Sequence, residues 1–312
     1  METRELGMDR PIGRREFVLK TLAGTAAAAG AIPALGAEDT SREAKAKRSA
    51  IDRVVLGKSG VKPTRLGIGT GSNGGAVQRE IGQESFTRLL RHAYDRGVRF
   101  IDTADMYRIH EMVGKAIKDL PRGELVIQSK MMWEPIQPPK PLEVLDRFRK
   151  ELGVETIDIL LIHCAQRKNW PEDLKRMRDA FSEAKEKGII RAHGVSCHGL
   201  PALREVAACG WVDVNLARCN HRGHHMDGAT GKWSEASIQD DAVAELKKIH
   251  TAGKGVIGMK IVGNGDFKEA ADREKSVRYA MTAPFIDAVV IGVKSPAEVD
   301  EAIDRLDRAL NA

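Results

Sequence analysis

Aromatic residues make up only 4% of the 312-residue chain, and its four cysteines stand far apart with no CxxC pair. So few aromatics leave little for stacking on bases, and the 50 basic and 44 acidic side chains are interspersed rather than gathered into a basic arm. No nucleic-acid partner is expected. Cys164, Cys197, Cys209 and Cys219 read as free thiols, because a chain this long buries enough core to fold without staples. A membrane-spanning helix is not expected either, although an uncleaved anchor is the alternative. The run TLAGTAAAAGAIPALGA at 21–37 is rich in Ala and Gly and falls short of the roughly 20 apolar residues a span needs. What remains is ordinary globular material, 42% hydrophobic and 30% charged, enough for one large core.

The first 37 residues read as an address rather than as fold. Arg14-Arg15-Glu16-Phe17-Val18-Leu19-Lys20 precedes the weak Ala/Gly run, which ends in small residues suited to cleavage near Ala37. This resembles a twin-arginine export signal. It implies the twin-arginine translocase as a partner, a periplasmic destination, and no stable membrane insertion after cleavage. Residues 38–50 are charged, lack an apolar rhythm and read as a linker.

From residue 51 to 312 short apolar runs alternate with helical stretches. The runs lie at 65–71, 99–103, 125–130, 157–163, 191–196, 212–217, 255–260 and 287–292. Between them apolar residues recur at three- and four-residue spacing, as in Phe86, Leu89, Leu90, Ala93 and Leu142, Leu145, Phe148, Leu152. Eight such units predict an α/β fold, a single-domain (β/α)8 TIM barrel, rather than an open doubly wound sheet. The hairpin-like VVLGKSGVK at 54–62 would precede the barrel and cap its lower end. The link at 217–237 is long and rich in Gly and His, as binding loops are.

In such a barrel the strand ends converge on one mouth, where chemistry is placed. The second run ends at Asp102, the third at Lys130 and the fourth at His163, with Tyr107 in the loop after the second. A phenol titrates near pH 10 and gives up its proton reluctantly. A lysine beside it should favour the phenolate, and a carboxylate should hold that lysine charged and in place. A histidine at the same mouth could hydrogen-bond a substrate oxygen. Together they are machinery for protonating an oxygen as charge develops on it, the task that arises when a carbonyl receives hydride. The hydride would have to come from a cofactor.

These residues resemble the catalytic tetrad of the aldo-keto reductase family. IRAHGVS at 190–196 and LGKSG…RLGIGTG near the start follow that family's running pattern, and the likeness covers about residues 51–306. It implies a barrel binding NADP(H) or NAD(H) across its strand ends and reducing an aldehyde or ketone to an alcohol, or the reverse. By that likeness Tyr107 is the general acid, Lys130 its activator, Asp102 the support, and His163 the residue orienting a small-molecule carbonyl substrate. The implied cofactor positions are Ser196, Cys197, Leu216, Met259, Lys260, Lys294 and Ser295. Several depart from the family pattern: Cys197 replaces an asparagine, Leu216 a glutamine and Met259 a stacking aromatic. Glu298 stands where an arginine is usual, which is unfavourable to the extra phosphate of NADPH.

Two other readings compete. The same departures would suit a barrel that has become a ligand-binding module. Cys219, His221, His224 and His225, within seven residues, could instead serve a metal-dependent enzyme. Their spacing fits no standard structural site, so no metal ligand is assigned.

Overall fold

A computed structural model describes residues 47–134, 137–232 and 235–312. The expected export signal lies outside the described residues. Eight strands run in chain order around a closed, fully parallel barrel. They are β1 (Leu66–Gly69), β2 (Phe100–Asp102), β3 (Val126–Met131), β4 (Ile157–Ala165), β5 (Ile190–Cys197), β6 (Val214–Arg218), β7 (Gly255–Met259) and β8 (Ala288–Gly292). Each falls on one of the eight apolar runs, and each is followed by at least one helix.

Alternation along the strands divides the core in two. Phe100, Val126, Ile159, Leu161, Val214, Leu216 and Ile257 fill the barrel. Their neighbours Ile127, Leu160, Ile162, Val195 and Val256 face outward, onto the helices. There they meet the periodic stripes, such as Phe86, Leu89 and Leu90 of Gly82–Asp95 and Leu145 and Phe148 of Pro141–Leu152. Among the described residues no helix is long and apolar enough to cross a membrane.

The lower end of the barrel is closed by the expected hairpin. Val54 N–H donates to the Pro63 carbonyl at 2.9 Å and Leu56 N–H to that of Val61 at 3.1 Å. Leu56 and Val61 are fully buried at the foot of the interior core. Burying one such side chain is worth roughly 1.5–3 kcal/mol. Residues just before 51 also pack on the barrel. Ser49 Oγ and Ala50 N–H both donate to the Asp307 carboxylate on the last helix, and Ala50 is buried.

Candidate active site

With its foot plugged, the barrel opens at the carboxyl ends of its strands, where Asp102 and Lys130 meet. Lys130 Nζ donates to Asp102 Oδ1 at 2.6 Å and to the Thr103 carbonyl at 2.8 Å. Gln128 Nε2 donates to the same Asp102 oxygen at 2.6 Å. All three side chains are buried, so the ion pair is poorly screened and its geometry well fixed. Tyr107 sits on the one-turn helix Asp105–Tyr107, its Oη 3.5 Å from Lys130 Nζ. Its ring lies against the backbone of Gly71: a Cβ there would stand 2.3 Å from Tyr107 Cζ. Glycine beyond β1 is what lets the phenol lie over the mouth.

His163, at the end of β4, is buried and stands edge-on to Tyr107 with ring centroids 5.7 Å apart. The structure thus brings Asp102, Tyr107, Lys130 and His163 together, with one difference from the expected electrostatics. Burial and the Asp102 charge push the Tyr107 phenol well above its ordinary value. The short bonds of Lys130 go to Asp102 and Thr103 rather than to the phenol. His163 is held well below the usual imidazole range by burial and by the charges of Lys130 and Lys260. At rest the site thus has a protonated phenol and a neutral imidazole.

Beyond β4 the mouth contains further groups, of which sequence reasoning missed Cys164 and Arg218. A register shift between Ile162 and Ala165 interrupts the β4–β5 pairing, and Cys164 takes a left-handed φ of 59°. The bulge brings Cys164 to the mouth beside His163, with Sγ 3.7 Å from His198 Nε2. Burial raises the Cys164 thiol to about 11 and lowers His198 well below its usual range. On β6, Arg218 follows the inward-facing Leu216 by two residues and is also buried. It faces Asp227 at 3.8 Å, whose carboxyl burial pushes up to about 7. Period-two alternation from Leu216 could have found Arg218, and the His-Cys step at 163–164 could have flagged Cys164.

A cavity of about 570 Å³ runs from Tyr107 and Asp102 past the ends of β7, β8 and β1 to the last helix, Pro296–Leu310. Of the expected cofactor residues, Met259, Lys260 and Lys294 line it. Ser295 caps the helix, its Oγ accepting from Glu298 N–H. Ser196, Cys197 and Leu216 are fully buried outside the cavity wall. Cys197 packs in the outer layer and Leu216 in the barrel interior, as alternation along β5 and β6 requires. The rim includes Gly69 and Gly71 of the run GTGSNG, whose GxGxxG spacing is known from open sheets but here follows a barrel strand.

The wall suits a dinucleotide. Met259, Val290 and Ile291 form an apolar stretch near Tyr107, while Lys294, Arg273 and Arg305 bring positive charge to the far end. Part of that charge is already engaged: Arg273 and Arg305 both bond Glu301, and Arg305 also bonds Glu274. Glu298 Oε2 accepts the Lys294 N–H at 2.9 Å, placing a carboxylate at the helix N-terminus.

The Cys/His loop does not assemble as one centre. Cys219 is buried in the outer core, its thiol pushed up to about 12. His221 turns to Asp272 at 3.7 Å, while His224 and His225 both bond Asp266 Oδ2, at 2.9 and 3.0 Å. Among the described residues the tight groups of possible ligands are instead His224, His225 and Asp266 at the surface, His163, Cys164 and His198 in the mouth, and Asp105, His110 and Glu151.

Residues 65–285 match the aldo/keto reductase family. The chain is 31% identical over 186 residues to the methylglyoxal reductase DkgB of Salmonella typhimurium, covering 52% of this chain and 67% of that protein. It is 25% identical over 189 residues to an NADH-specific methylglyoxal reductase of Escherichia coli, covering 53% and 58% respectively. Among solved structures, an aldo-keto reductase from Pseudomonas aeruginosa superposes with a TM-score of 0.68 at 20% identity, covering 84% of this chain and 97% of that one. The holo form of the Bacillus halodurans aldo-keto reductase AKR11C1 gives 0.64 at 16% identity, covering 83% and 95%. The chain belongs to the aldo/keto reductase family and is an oxidoreductase of that nicotinamide-using group.

Proposed function

We propose that the protein reduces an aldehyde or ketone to an alcohol, or runs the reverse reaction, with Tyr107 as the acid. The observation that carries this is Lys130 Nζ, 2.6 Å from Asp102 Oδ1 and 3.5 Å from Tyr107 Oη at the mouth of the cavity. A reduced nicotinamide bound along the cavity would supply hydride. The protein's own part is to hold and deliver a proton. The phenol's raised pKa keeps it protonated until negative charge grows on the carbonyl oxygen. Once it donates, the phenolate has the Lys130 ammonium beside it. His163, kept neutral, offers a ring N–H to the same oxygen and fixes its position.

NADH suits the far end of the cavity better than NADPH. The extra ribose phosphate of NADPH would meet Glu298 at the helix N-terminus, with Arg273 and Arg305 already engaged by glutamates. Titrating NADH and NADPH by fluorescence tests this: the expected result is tighter binding of NADH. Binding of neither at millimolar concentration would remove the reductase reading.

Residues 1–37 support export by the twin-arginine route to the periplasm, a pathway for folded proteins, so cofactor could be bound before transport. Replacing Arg14 and Arg15 by lysine should leave the protein in the cytoplasmic fraction. An unchanged distribution would end this reading.

A further inference from the structure

Two residues at the mouth break the alternation of their strands in the same way. Met259 faces the barrel interior, so Lys260, the next residue, should face the helix layer. Instead Lys260 takes a left-handed φ of 60° and lines the cavity together with Met259, Tyr107 and Asp102. Cys164, after His163, shares the left-handed backbone, with a φ of 59°, and meets His198 rather than the cavity wall. Such a backbone is uncommon for residues other than glycine, and it clusters at functional sites. Here it places an ammonium at the reacting end of the cavity, with Nζ donating to the neutral Asn264 Oδ1 at 3.1 Å.

Around His163 and His198 the neighbouring charges are positive, whereas Asp102 acts on Tyr107 with the opposite sign. His163 feels the charges of Lys130 and Lys260, and His198 those of Arg218, Lys260 and Lys130, all acting to disfavour a further cation. The mouth trio of His163, Cys164 and His198 has ligand atoms close enough for a metal ion, but the same three cations oppose one there. What the field favours is an anion. Lys294, Arg273 and Arg305 serve the far end of the cavity, whereas Lys260 acts on the groups around Tyr107.

Resting on the reading of the mouth as a carbonyl site, we propose that Lys260, with Arg218 behind it, binds a carboxylate on the substrate. The preferred substrates are then carbonyl compounds that carry an acid group. The ammonium is lowered to about 8 by burial and by Arg218, which leaves it largely protonated at neutral pH.

The experiment compares para-carboxybenzaldehyde with para-nitrobenzaldehyde, similar in shape but differing in charge, for the parent, Lys260→Gln and Lys260→Arg. The ratio of kcat/KM for the acid to that for the nitro compound should fall about tenfold or more in Lys260→Gln, and be largely kept in Lys260→Arg. Calorimetry on the NADH-saturated protein gives a second readout. The acid's alcohol product should bind more weakly to Lys260→Gln, while the nitro alcohol's affinity should not follow. An unchanged ratio with tenfold weaker binding of both NADH and NADPH would assign Lys260 to a cofactor phosphate and overturn the proposal. Lys260-dependent binding of the acid without turnover of either aldehyde would keep the anion site and remove the carbonyl reduction. Neither turnover nor Lys260-dependent binding would overturn the anion site as well.

Discussion

The two halves of the barrel mouth are built on different terms. On the β2–β4 side, Asp102, Gln128, Lys130 and Thr103 are joined by bonds of 2.6–2.8 Å. On the β5–β7 side, Arg218 and Asp227 approach only to 3.8 Å; buried polar atoms without a hydrogen-bond partner among the described residues occur on both sides, Ser196 Oγ here and Thr103 Oγ1 and Gln128 Oε1 there. The first half is a fixed scaffold for one proton. The second holds a buried ion pair at longer range, the condition under which a ligand or a change of pH has most to act on.

That contrast predicts where substitutions hurt. The largest loss should follow Lys130→Met, which strands the Asp102 carboxylate in the core. A destabilisation of about 3–5 kcal/mol is expected in urea unfolding. Adding Asp102→Asn should recover much of the stability but none of the turnover. If the single variant unfolds like the parent, the first half is not the tight unit described.

On the other side, Asp227 should make stability depend on pH. Its carboxyl titrates near 7 in the fold against an ordinary 3.8, so its favourable contribution is full below about pH 4 and is lost as pH rises through 7. The loss amounts to at most about 4 kcal/mol. Asp227→Asn should match the parent near pH 4 and exceed it above pH 7 in thermal unfolding. Parallel pH profiles would show that the pair is better satisfied than its 3.8 Å separation implies.

Gly71→Ala probes the scaffold by geometry alone, since the new methyl would displace the Tyr107 ring. A fall of about a hundredfold in kcat is expected, with NADH affinity little changed. The smallest effect concerns the far end of the cavity. Glu298→Gln should tighten NADPH about tenfold, or roughly 1.4 kcal/mol, while leaving NADH nearly as it was. Equal affinities for both dinucleotides in the parent would show that Glu298 does not discriminate between them.

The same division explains what the sequence could show. Asp102, Lys130 and His163 each end an apolar run, and a side chain at a strand end has only one mouth to face. The barrel itself is legible for a similar reason, since period-two runs alternating with three- and four-residue spacing leave few other architectures. Cys164 and Lys260 are harder, because their left-handed backbones break the alternation used to assign a face. Likeness to the family pattern places Cys197 and Leu216 at the cofactor, yet strand parity alone puts one in the outer layer and the other in the interior core. The raised Tyr107 pKa is also hidden, since it comes first from the burial of the phenol and then from the Asp102 charge, both of which depend on the folded mouth.

The central claim is that Tyr107 supplies the proton. Single-turnover oxidation of NADH by para-nitrobenzaldehyde, with the parent and with Tyr107→Phe, tests it most directly. The account predicts a rate lower by about three orders of magnitude in the variant, with unchanged NADH affinity. Equal rates for the two proteins would contradict it.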